Sequence, residues 1–191
     1  MSRGEADDLD VADVQRVLQG DTAAFAGIVT RWQGRLLSLA WRYCHDRTIA
    51  EDMAQEAFLK AFRSLHTFRG DSAFSTWLTA VAINCYRTWM RDHEPAGVSL
   101  DDVLIDVRVA YATETLDARR REEIVRRMVA TLPPRYRDPT VLYYLNEMDL
   151  AETARTLGLP TGTVKARLHR ARELLKRRLA SVLPDAGRDM L

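Results

Sequence analysis

The stretch from Asp149 to Leu179 constrains the fold of this chain more than any other part of its sequence. Its first part places apolar residues at helical spacing, at Leu150, Ala154 and Leu157. Gly158 is expected to end this helix, because glycine most easily takes the positive φ common at a helix C-terminus. Pro160 prevents the helix from continuing, since proline lacks the backbone N–H that a further turn needs.

A second, longer helix is predicted after the turn, with Thr161 or Thr163 as its N-cap. One apolar stripe follows its length, at Val164, Leu168, Ala171 and Leu175. Two helices joined by a tight turn of this kind are typical of a helix-turn-helix, whose second helix enters the major groove of DNA.

The charge of this second helix supports the same interpretation. Between Thr161 and Arg178 it carries seven basic residues and one acidic residue, Glu173. A run of charge is usually a solvated helix face. Here the run has one sign and lies on the helix that should face DNA, which favours DNA binding.

Charge is unevenly distributed along the chain, although its formal net charge is only +1. Residues 1–30 hold two basic and six acidic residues, and residues 92–118 hold one basic and seven acidic residues. Residues 119–191 hold sixteen basic and nine acidic residues. A basic end separated from acidic segments indicates nucleic-acid binding.

Other functional classes find little support in the residues. The acidic, polar N-terminus is unlike a signal peptide, and no apolar run is long enough to cross a bilayer, so we expect a cytoplasmic protein without membrane insertion. Cys44 and Cys85 are isolated and are interpreted as buried thiols. The four histidines share no ligand spacing, and no catalytic triad or glycine-rich phosphate loop is present. We therefore expect no metal, no cofactor and no enzymatic activity.

The N-terminal half is predicted to be helical, since no segment alternates apolar and polar residues over a useful length. A short amphipathic helix is expected over Val11–Leu18, and a longer one is expected to start at Asp21 or Thr22. Thr48 and Glu51 have the spacing of a capping box, which predicts a third helix that ends at about Leu65.

The third helix has two distinct faces on a helical wheel. Its apolar arc contains Met53, Ala54, Ala57, Phe58, Ala61, Phe62 and Leu65. Its polar arc contains Asp52, Gln55, Glu56, Lys60 and Arg63. Leu59 falls in the middle of the polar arc. Single exposed leucines are common, but a leucine among polar residues can also be the apolar centre of a protein interface. The residues alone leave both interpretations open.

A glycine-containing loop, His66–Ser75, is predicted to lead into a helix from about Ala73 to Arg91. The loop brings together Phe68, Arg69 and Phe74, and the helix presents Asn84, Arg87 and Arg91 on one face. Aromatic rings and arginines can stack bases and hold phosphates of single-stranded nucleic acid. Alternatively Phe74 and Trp77 belong to the core, which for Trp77 is the preferred interpretation.

Residues 92–113 combine proline, glycine and clustered acids with weak periodicity, which favours an interdomain linker. A helix from about Glu114 to Thr131 then leads through LPPRYRDP and Val141–Leu145 to the helix-turn-helix. The predicted fold is therefore all-α, with two helical domains joined by a flexible acidic linker.

Four blocks in this order carry a resemblance to a known family: IAEDMAQEAFLKAF, FRGDSAFSTWLTAVAINCYRTWMR, LPPRYR and LAETARTLGLPTGTVKARLHRAREL. The chain resembles the bacterial extracytoplasmic-function (ECF) sigma factors of the sigma-70 superfamily from about Val11 to Leu179. The resemblance implies a sigma factor that binds core RNA polymerase, directs it to promoters and helps to melt the minus-10 element. It also implies sigma region 2 at residues 10–91, a linker at 92–113 and region 4 at 114–183.

The resemblance implies three binding sites. The core polymerase site, on the β′ clamp helices, would use Asp52, Gln55, Glu56 and Leu59. The minus-10 site would use Phe68, Arg69, Phe74, Asn84, Arg87 and Arg91. The minus-35 site would use Thr163, Lys165, Ala166, Arg167, His169 and Arg170. The implied partners also include the polymerase β flap, promoter DNA and an anti-sigma factor, and the acidic linker would pass through the polymerase cleft.

Three departures from the family pattern bear on these expectations. Ala166 stands where relatives often carry serine, and His169 stands at a variable position, which would alter the promoter sequence that is read. Asp138-Pro139 is unusual, with Asp138 expected to cap and Pro139 to begin a new helical turn.

The alternative function is a stand-alone helix-turn-helix regulator that binds an operator without polymerase.

Overall fold

The computed structural model describes residues 3–93, 99–112 and 118–181, and within these ranges all regular structure is helical. The chain divides into two compact units, Met1–His93 and Glu94–Leu191. The predicted all-α, two-domain fold is confirmed. No helix in the described ranges has the length and apolarity required to span a membrane.

The first unit contains four α-helices: α1 (Arg3–Leu18), α2 (Phe25–Cys44), α3 (Arg47–Ser64) and α4 (Phe74–His93). Short 3-10 turns at Thr22–Ala24 and Leu65–Thr67 precede α2 and follow α3. α1 is longer than the predicted Val11–Leu18, and α2 begins three residues after the predicted start at Thr22. His45 ends α2 in the left-handed conformation, with φ of 55°.

Helix α4 is held against α2 by aromatic packing in the centre of this unit. The Tyr43 and Tyr86 rings meet edge to face at 5.8 Å, and both side chains are buried. The Tyr86 hydroxyl donates a hydrogen bond of 3.0 Å to the carbonyl of Leu36. Burial raises the pKa of this hydroxyl. The contact therefore satisfies the one polar atom of a large core side chain and fixes α4 relative to α2.

A polar cluster connects α1 to α2. The buried Asp10 carboxylate accepts hydrogen bonds from Arg31 Nε at 2.8 Å and from Trp32 Nε1 at 2.9 Å. Arg31 Nη2 also donates to Asp13 Oδ2 at 2.5 Å. Gly27 makes room for this cluster, because a Cβ there would lie 2.5 Å from Asp13 Oδ2. Nothing in the linear sequence distinguishes Asp10 from the other N-terminal acids.

The predicted capping box at the start of α3 is wrong. The N-cap is Asp46, whose side chain accepts a hydrogen bond of 2.9 Å from the Ile49 backbone N–H. Thr48 lies inside the helix, and Glu51 accepts a bond of 2.9 Å from Arg47 Nε. Aspartate and threonine are both good N-caps, so local preference alone did not separate the two positions.

The second unit contains five α-helices within the described residues: α5 (Leu100–Ala112), α6 (Ala118–Ala130), α7 (Pro134–Thr140), α8 (Leu150–Leu157) and α9 (Thr161–Ala180). A π-helical segment, Val141–Leu145, follows α7. The predicted start of α6 at Glu114 lies outside the described residues. The helix-turn-helix predicted within Asp149–Leu179 is present as α8 and α9.

Helix α5 lies within the segment predicted to be a linker. Val103 and Val107 are buried against Met128 of α6, and Leu175 and Leu179 of α9 pack on the same cluster. Asp106 of α5 also pairs with Arg127 of α6. The weak periodicity inferred for this part of the segment is therefore wrong. Its buried residues do recur at helical spacing, but the exposed Ile105 and Val109 place apolar residues on another face as well and conceal that pattern.

The prediction that Asp138-Pro139 starts a new helical turn is also wrong. Helix α7 begins at Pro134, and Pro139 lies inside it. The side chain of Asp138 is buried. Pro139 has no N–H to donate to the carbonyl of Arg135, four residues earlier. This loss is tolerated because Arg135 lies in the first turn of α7 and is exposed to solvent.

Both cysteines are free thiols, with Cys85 buried and Cys44 half-buried. The prediction of buried thiols is thus confirmed for Cys85 and only in part for Cys44. Burial raises the pKa of both. The part of the chain that the structure describes contains no cluster of three or more metal-ligating side chains.

Candidate protein and nucleic-acid interfaces

The polar face of α3 is exposed as the helical wheel predicts. Asp52, Gln55 and Glu56 are solvent-exposed, and Leu59 among them is 44% exposed. The opposite face is buried in the first unit, with Ala50, Met53, Ala54, Ala57, Phe58 and Ala61 in the core. Phe62, predicted to lie in the apolar arc, remains partly exposed.

A groove of about 590 Å³ lies between α3 and α4. Three carboxylates, at Asp52, Glu56 and Asp92, and one ammonium group, at Lys60, border it, so the groove is acidic on balance. Trp89, Thr88 and Cys85 contribute the α4 wall. No signal in the sequence connects Trp89 or Asp92 with this face, because their relation to α3 depends on how the two helices pack.

A second groove, of about 430 Å³, lies on the other side of α3, where it meets α2. Its lining is mainly apolar and includes Phe25, Val29, Leu37, Phe58 and Phe62. Gln55 and Leu59 line both grooves, so this pair forms a ridge between an acidic surface and an apolar surface. We call Gln55 and Leu59 the α3 ridge.

The loop before α4 is organised by three aromatic rings. Phe68 packs on Phe74 at 5.4 Å and on Trp77 at 5.7 Å, and Phe74 and Trp77 are 5.5 Å apart. Phe68 and Trp77 are half-buried, whereas Phe74 has no exposed surface. Direct contact of Phe74 with DNA does not fit its burial, and we revise its role to support of the Phe68 ring. Trp77 is only partly in the core.

The exposed face of α4 carries the predicted polar residues. Asn84 is exposed, and its Oδ1 accepts a hydrogen bond of 3.3 Å from Arg87 Nη1. Its amide N–H groups are therefore the donors that it can offer to a ligand. Arg91 is exposed and pairs with the neighbouring Asp92 at 2.8 Å. Arg69 in the preceding loop is exposed as well.

The helix-turn-helix is defined by its caps. Asp149 and Glu152 form a reciprocal capping box at the start of α8. Gly158 ends α8 with φ of 63°, as predicted. Neither Thr161 nor Thr163 caps α9, because the N-cap is Pro160 and α9 already includes both threonines. A small buried cluster of Ala154, Val164 and Leu168, with Leu150 and Leu159 packed against it, fixes the crossing of the two helices.

Most of the predicted minus-35 residues lie on the outer face of α9. Lys165, Ala166, His169 and Arg170 are exposed, and Thr163 and Arg167 are half-buried. Further along the same helix Arg172, Lys176 and Arg177 are also exposed. Val164, Leu168 and Ala171 are buried on the opposite side. The helix thus presents a basic surface to solvent while its apolar stripe packs inside the unit.

Comparison with known proteins agrees with this geometry. Residues 28–95 match the sigma-70 region 2 family, and residues 122–175 match the sigma-70 region 4 family. The chain is 36% identical over 183 residues to the RNA polymerase sigma-H factor of Pseudomonas aeruginosa, covering 91% of this chain and 95% of that protein. It is 33% identical over 182 residues to the ECF RNA polymerase sigma factor SigW of Bacillus subtilis, covering 87% and 94%.

A solved structure of the sigma factor RpoE in complex with the anti-sigma factor NepR, from Bartonella quintana, shares the fold. Its TM-score is 0.58 at 19% identity, covering 85% of this chain and 98% of that chain. The fold and the two matched regions define a sigma-70-type protein. The chain belongs to the ECF RNA polymerase sigma factors. The stand-alone regulator is not favoured, because the region 2 match lies outside the helix-turn-helix.

Proposed function

We propose that the α3 ridge and the two grooves beside it form the docking surface for core RNA polymerase, on the clamp helices of β′. The single observation that supports this most is the exposure of Leu59 between an acidic groove and an apolar groove. A partly exposed leucine ringed by polar groups can be the apolar centre of an interface, where the groups around it exclude water. A partner with basic and apolar side chains would complement both grooves.

The loop after α3 and the exposed face of α4 are proposed to bind the minus-10 element. Phe68 offers a partly exposed ring for stacking, Arg69 offers charge, and Asn84 offers amide donors to a base. A flipped base of the non-template strand would be accommodated at this loop. Arg87 orients the Asn84 amide and Arg91 approaches the phosphates.

We predict that Asn84→Ala reduces the rate of open-complex formation by about fivefold while duplex binding changes little. The lost hydrogen bond is made only to the unpaired base, and one such bond contributes about 1 kcal/mol. The measurement is permanganate reactivity of the melted promoter against gel-shift affinity, both with holoenzyme. Equal losses in the two assays would contradict a role in melting.

Helix α9 is proposed to read the minus-35 element in the major groove. Residues near the N-terminal end of a recognition helix face base edges, whereas later residues approach the backbone. The exposed Lys165, His169 and Arg170 lie early, and Lys176 and Arg177 lie later. Ala166 offers only a methyl group where a hydroxyl would add a polar contact.

We predict that Arg170→Ala relaxes the preference at particular minus-35 positions by about 1–3 kcal/mol, the range for a bidentate arginine–guanine pair. Lys176→Ala should weaken all promoters by similar factors and flatten the salt dependence, because a phosphate contact carries no sequence information. The two variants are matched controls for each other in holoenzyme binding to single-base promoter variants. An even loss of affinity across the set for Arg170→Ala would show that it does not read bases.

The remaining partners follow from the family. An anti-sigma factor is proposed as a regulator, as in the solved relative. We place the protein in the cytoplasm with polymerase and assign it no catalysis, since the polymerase itself performs phosphoryl transfer. The described part of the linker, α5, is helical and packs on α6 and α9. We therefore propose that the linker passes through the polymerase cleft only when α5 is detached from α6 and α9.

The overall function is tested by run-off transcription with core polymerase on a pool of genomic promoter fragments. We expect a discrete set of transcripts that depends on this protein. Transcripts identical to those of core enzyme alone would contradict the proposal. Tight, sequence-specific DNA binding without polymerase would favour the stand-alone regulator instead.

A further inference from the structure

Arg178 differs from the neighbouring basic residues of α9, Lys176 and Arg177, in where its side chain lies. It is seven residues after the buried Ala171 and three after Leu175, so it extends the apolar stripe and points into the unit. Its residue is half-buried, whereas Lys176 and Arg177 beside it are exposed. From the sequence alone, Arg178 belongs to the basic residues that could contact DNA. The packing of α9 instead turns its side chain away from the exposed basic surface.

The Arg178 guanidinium contacts the C-terminal end of α6. Nη1 donates a hydrogen bond of 2.7 Å to Thr131 Oγ1 and one of 3.3 Å to the Thr131 carbonyl. The Thr131 hydroxyl donates in turn to the Met128 carbonyl at 2.7 Å. The hydroxyl proton of Thr131 is thus directed to the Met128 carbonyl, and a lone pair of Oγ1 accepts the hydrogen bond from the Arg178 guanidinium. A cation at a helix C-terminus is favourable, since the last carbonyls there carry partial negative charge.

Burial lowers the pKa of the Arg178 guanidinium from its ordinary value, in agreement with a position among neutral groups. The neighbouring residues of α9 reinforce the contact. Leu175 and Leu179 pack on the cluster formed by α5 and α6. The far end of α9 is therefore attached to α6, just as Val164 and Leu168 attach its near end to α8.

We infer that Arg178 is a positioning residue for promoter recognition, acting through Thr131 to fix the tilt of α9, and that it is not a phosphate contact. Its distance from Val164 along the helix is about 21 Å, at 1.5 Å per residue. Helix α9 also packs on α7, and Leu175 and Leu179 remain on the α5–α6 cluster, so loss of the Arg178 bond loosens the tilt of the far end without detaching it. A bidentate base contact needs fixed geometry, whereas lysine and arginine stems can follow a phosphate as the helix moves.

This inference rests on the proposed function of α9, and the test separates the two. Holoenzyme binding is measured on a minus-35 sequence selected by the wild-type protein and on its single-base variants, at several salt concentrations. We expect Arg178→Ala to reduce the preference for the selected sequence by roughly threefold to tenfold, the effect of losing about one net hydrogen bond. The salt slope should stay unchanged, whereas Arg177→Ala should lower it by about 0.9, the value for one phosphate contact.

Thr131→Val is the decisive second variant. It removes the hydroxyl that accepts the hydrogen bond from Arg178, and it leaves the charge of the protein unchanged because threonine and valine are both neutral. We expect it to reproduce part of the lost preference without changing the salt slope. The double variant should be no worse than Arg178→Ala alone, since both substitutions break one interaction. Arg178→Met keeps the apolar stem and removes the donor, so it should still lose preference without a change in salt slope, which keeps the test valid if circular dichroism shows that Arg178→Ala unfolds.

Three results would overturn the inference. One is a flattened salt slope with intact base preference in Arg178→Ala. Another is a Thr131→Val variant with wild-type preference. The third is full wild-type preference in Arg178→Met. A wild-type holoenzyme without any minus-35 preference would instead refute the proposed function of α9, and the inference with it.

Discussion

Leu59→Ala is expected to weaken binding to core polymerase by about thirtyfold, the effect of losing an interface hot spot of about 2 kcal/mol. Leu59 lines both grooves beside α3, so a partner that fills either groove would cover its side chain. It is 44% exposed in the free protein, and its truncation should leave the first unit stable. The measurement is core polymerase affinity by fluorescence titration, with circular dichroism to check the helical content.

Leu18→Ala is the matched control, because Leu18 is 53% exposed on α1 and lines neither groove. It should bind polymerase as the wild type does. Asp52→Ala, on the acidic side, should also weaken binding and should make the affinity less sensitive to salt. Wild-type affinity in both Leu59→Ala and Asp52→Ala would refute the assignment of this surface to polymerase.

Arg31→Met is expected to lower the free energy of unfolding of the first unit by about 3 kcal/mol. The substitution removes one partner of a buried pair and leaves the Asp10 carboxylate with only the Trp32 N–H. An uncompensated buried charge costs about 3–5 kcal/mol. All four tryptophans, Trp32, Trp41, Trp77 and Trp89, lie in the first unit, so their fluorescence during urea unfolding reports this unit alone.

The pH dependence provides an internal check on that explanation. Burial already raises the pKa of the Asp10 carboxyl, and hydrogen bonds from Arg31 and Trp32 act against the rise. Without Arg31 the pKa should rise further. A folded-state pKa above the unfolded value means that the folded state binds more protons, so stability falls as pH increases through that pKa. The difference in free energy of unfolding between Arg31→Met and the wild type should therefore become smaller as the pH is lowered from 7.

The control is Arg47→Met, which removes an ion pair with Glu51 that is mostly in solvent and lies outside the Asp10–Arg31 cluster. It should cost no more than about 1 kcal/mol, the upper range for surface pairs. Replacing both buried partners, as in Asp10→Leu with Arg31→Met, should be less harmful than Arg31→Met alone. If Arg47→Met and Arg31→Met lower the free energy of unfolding equally, the buried charge is not the cause.

Local signals in the sequence predicted the structure correctly where one residue type determines the backbone conformation. Gly158 predicted the end of α8, because the left-handed conformation there strongly favours glycine. The polar face of α3 was predicted from periodicity alone, because a helix exposes every residue that lies opposite its buried arc. Caps were less certain, since several residue types satisfy the same backbone groups. Asp46 and Pro160, instead of Thr48 and Thr161 or Thr163, are the N-caps.

The sequence by itself thus determined the all-α class, the helix-turn-helix and the polar face of α3, since each depends on spacing within one helix. Only the tertiary structure decided which charges are available to partners. Asp10 is buried on Arg31 and Trp32, and Arg178 is turned to Thr131, although both belong to charged runs in the sequence. The physical reason is that desolvation and hydrogen bonding depend on neighbours distant in the chain, which local periodicity does not identify.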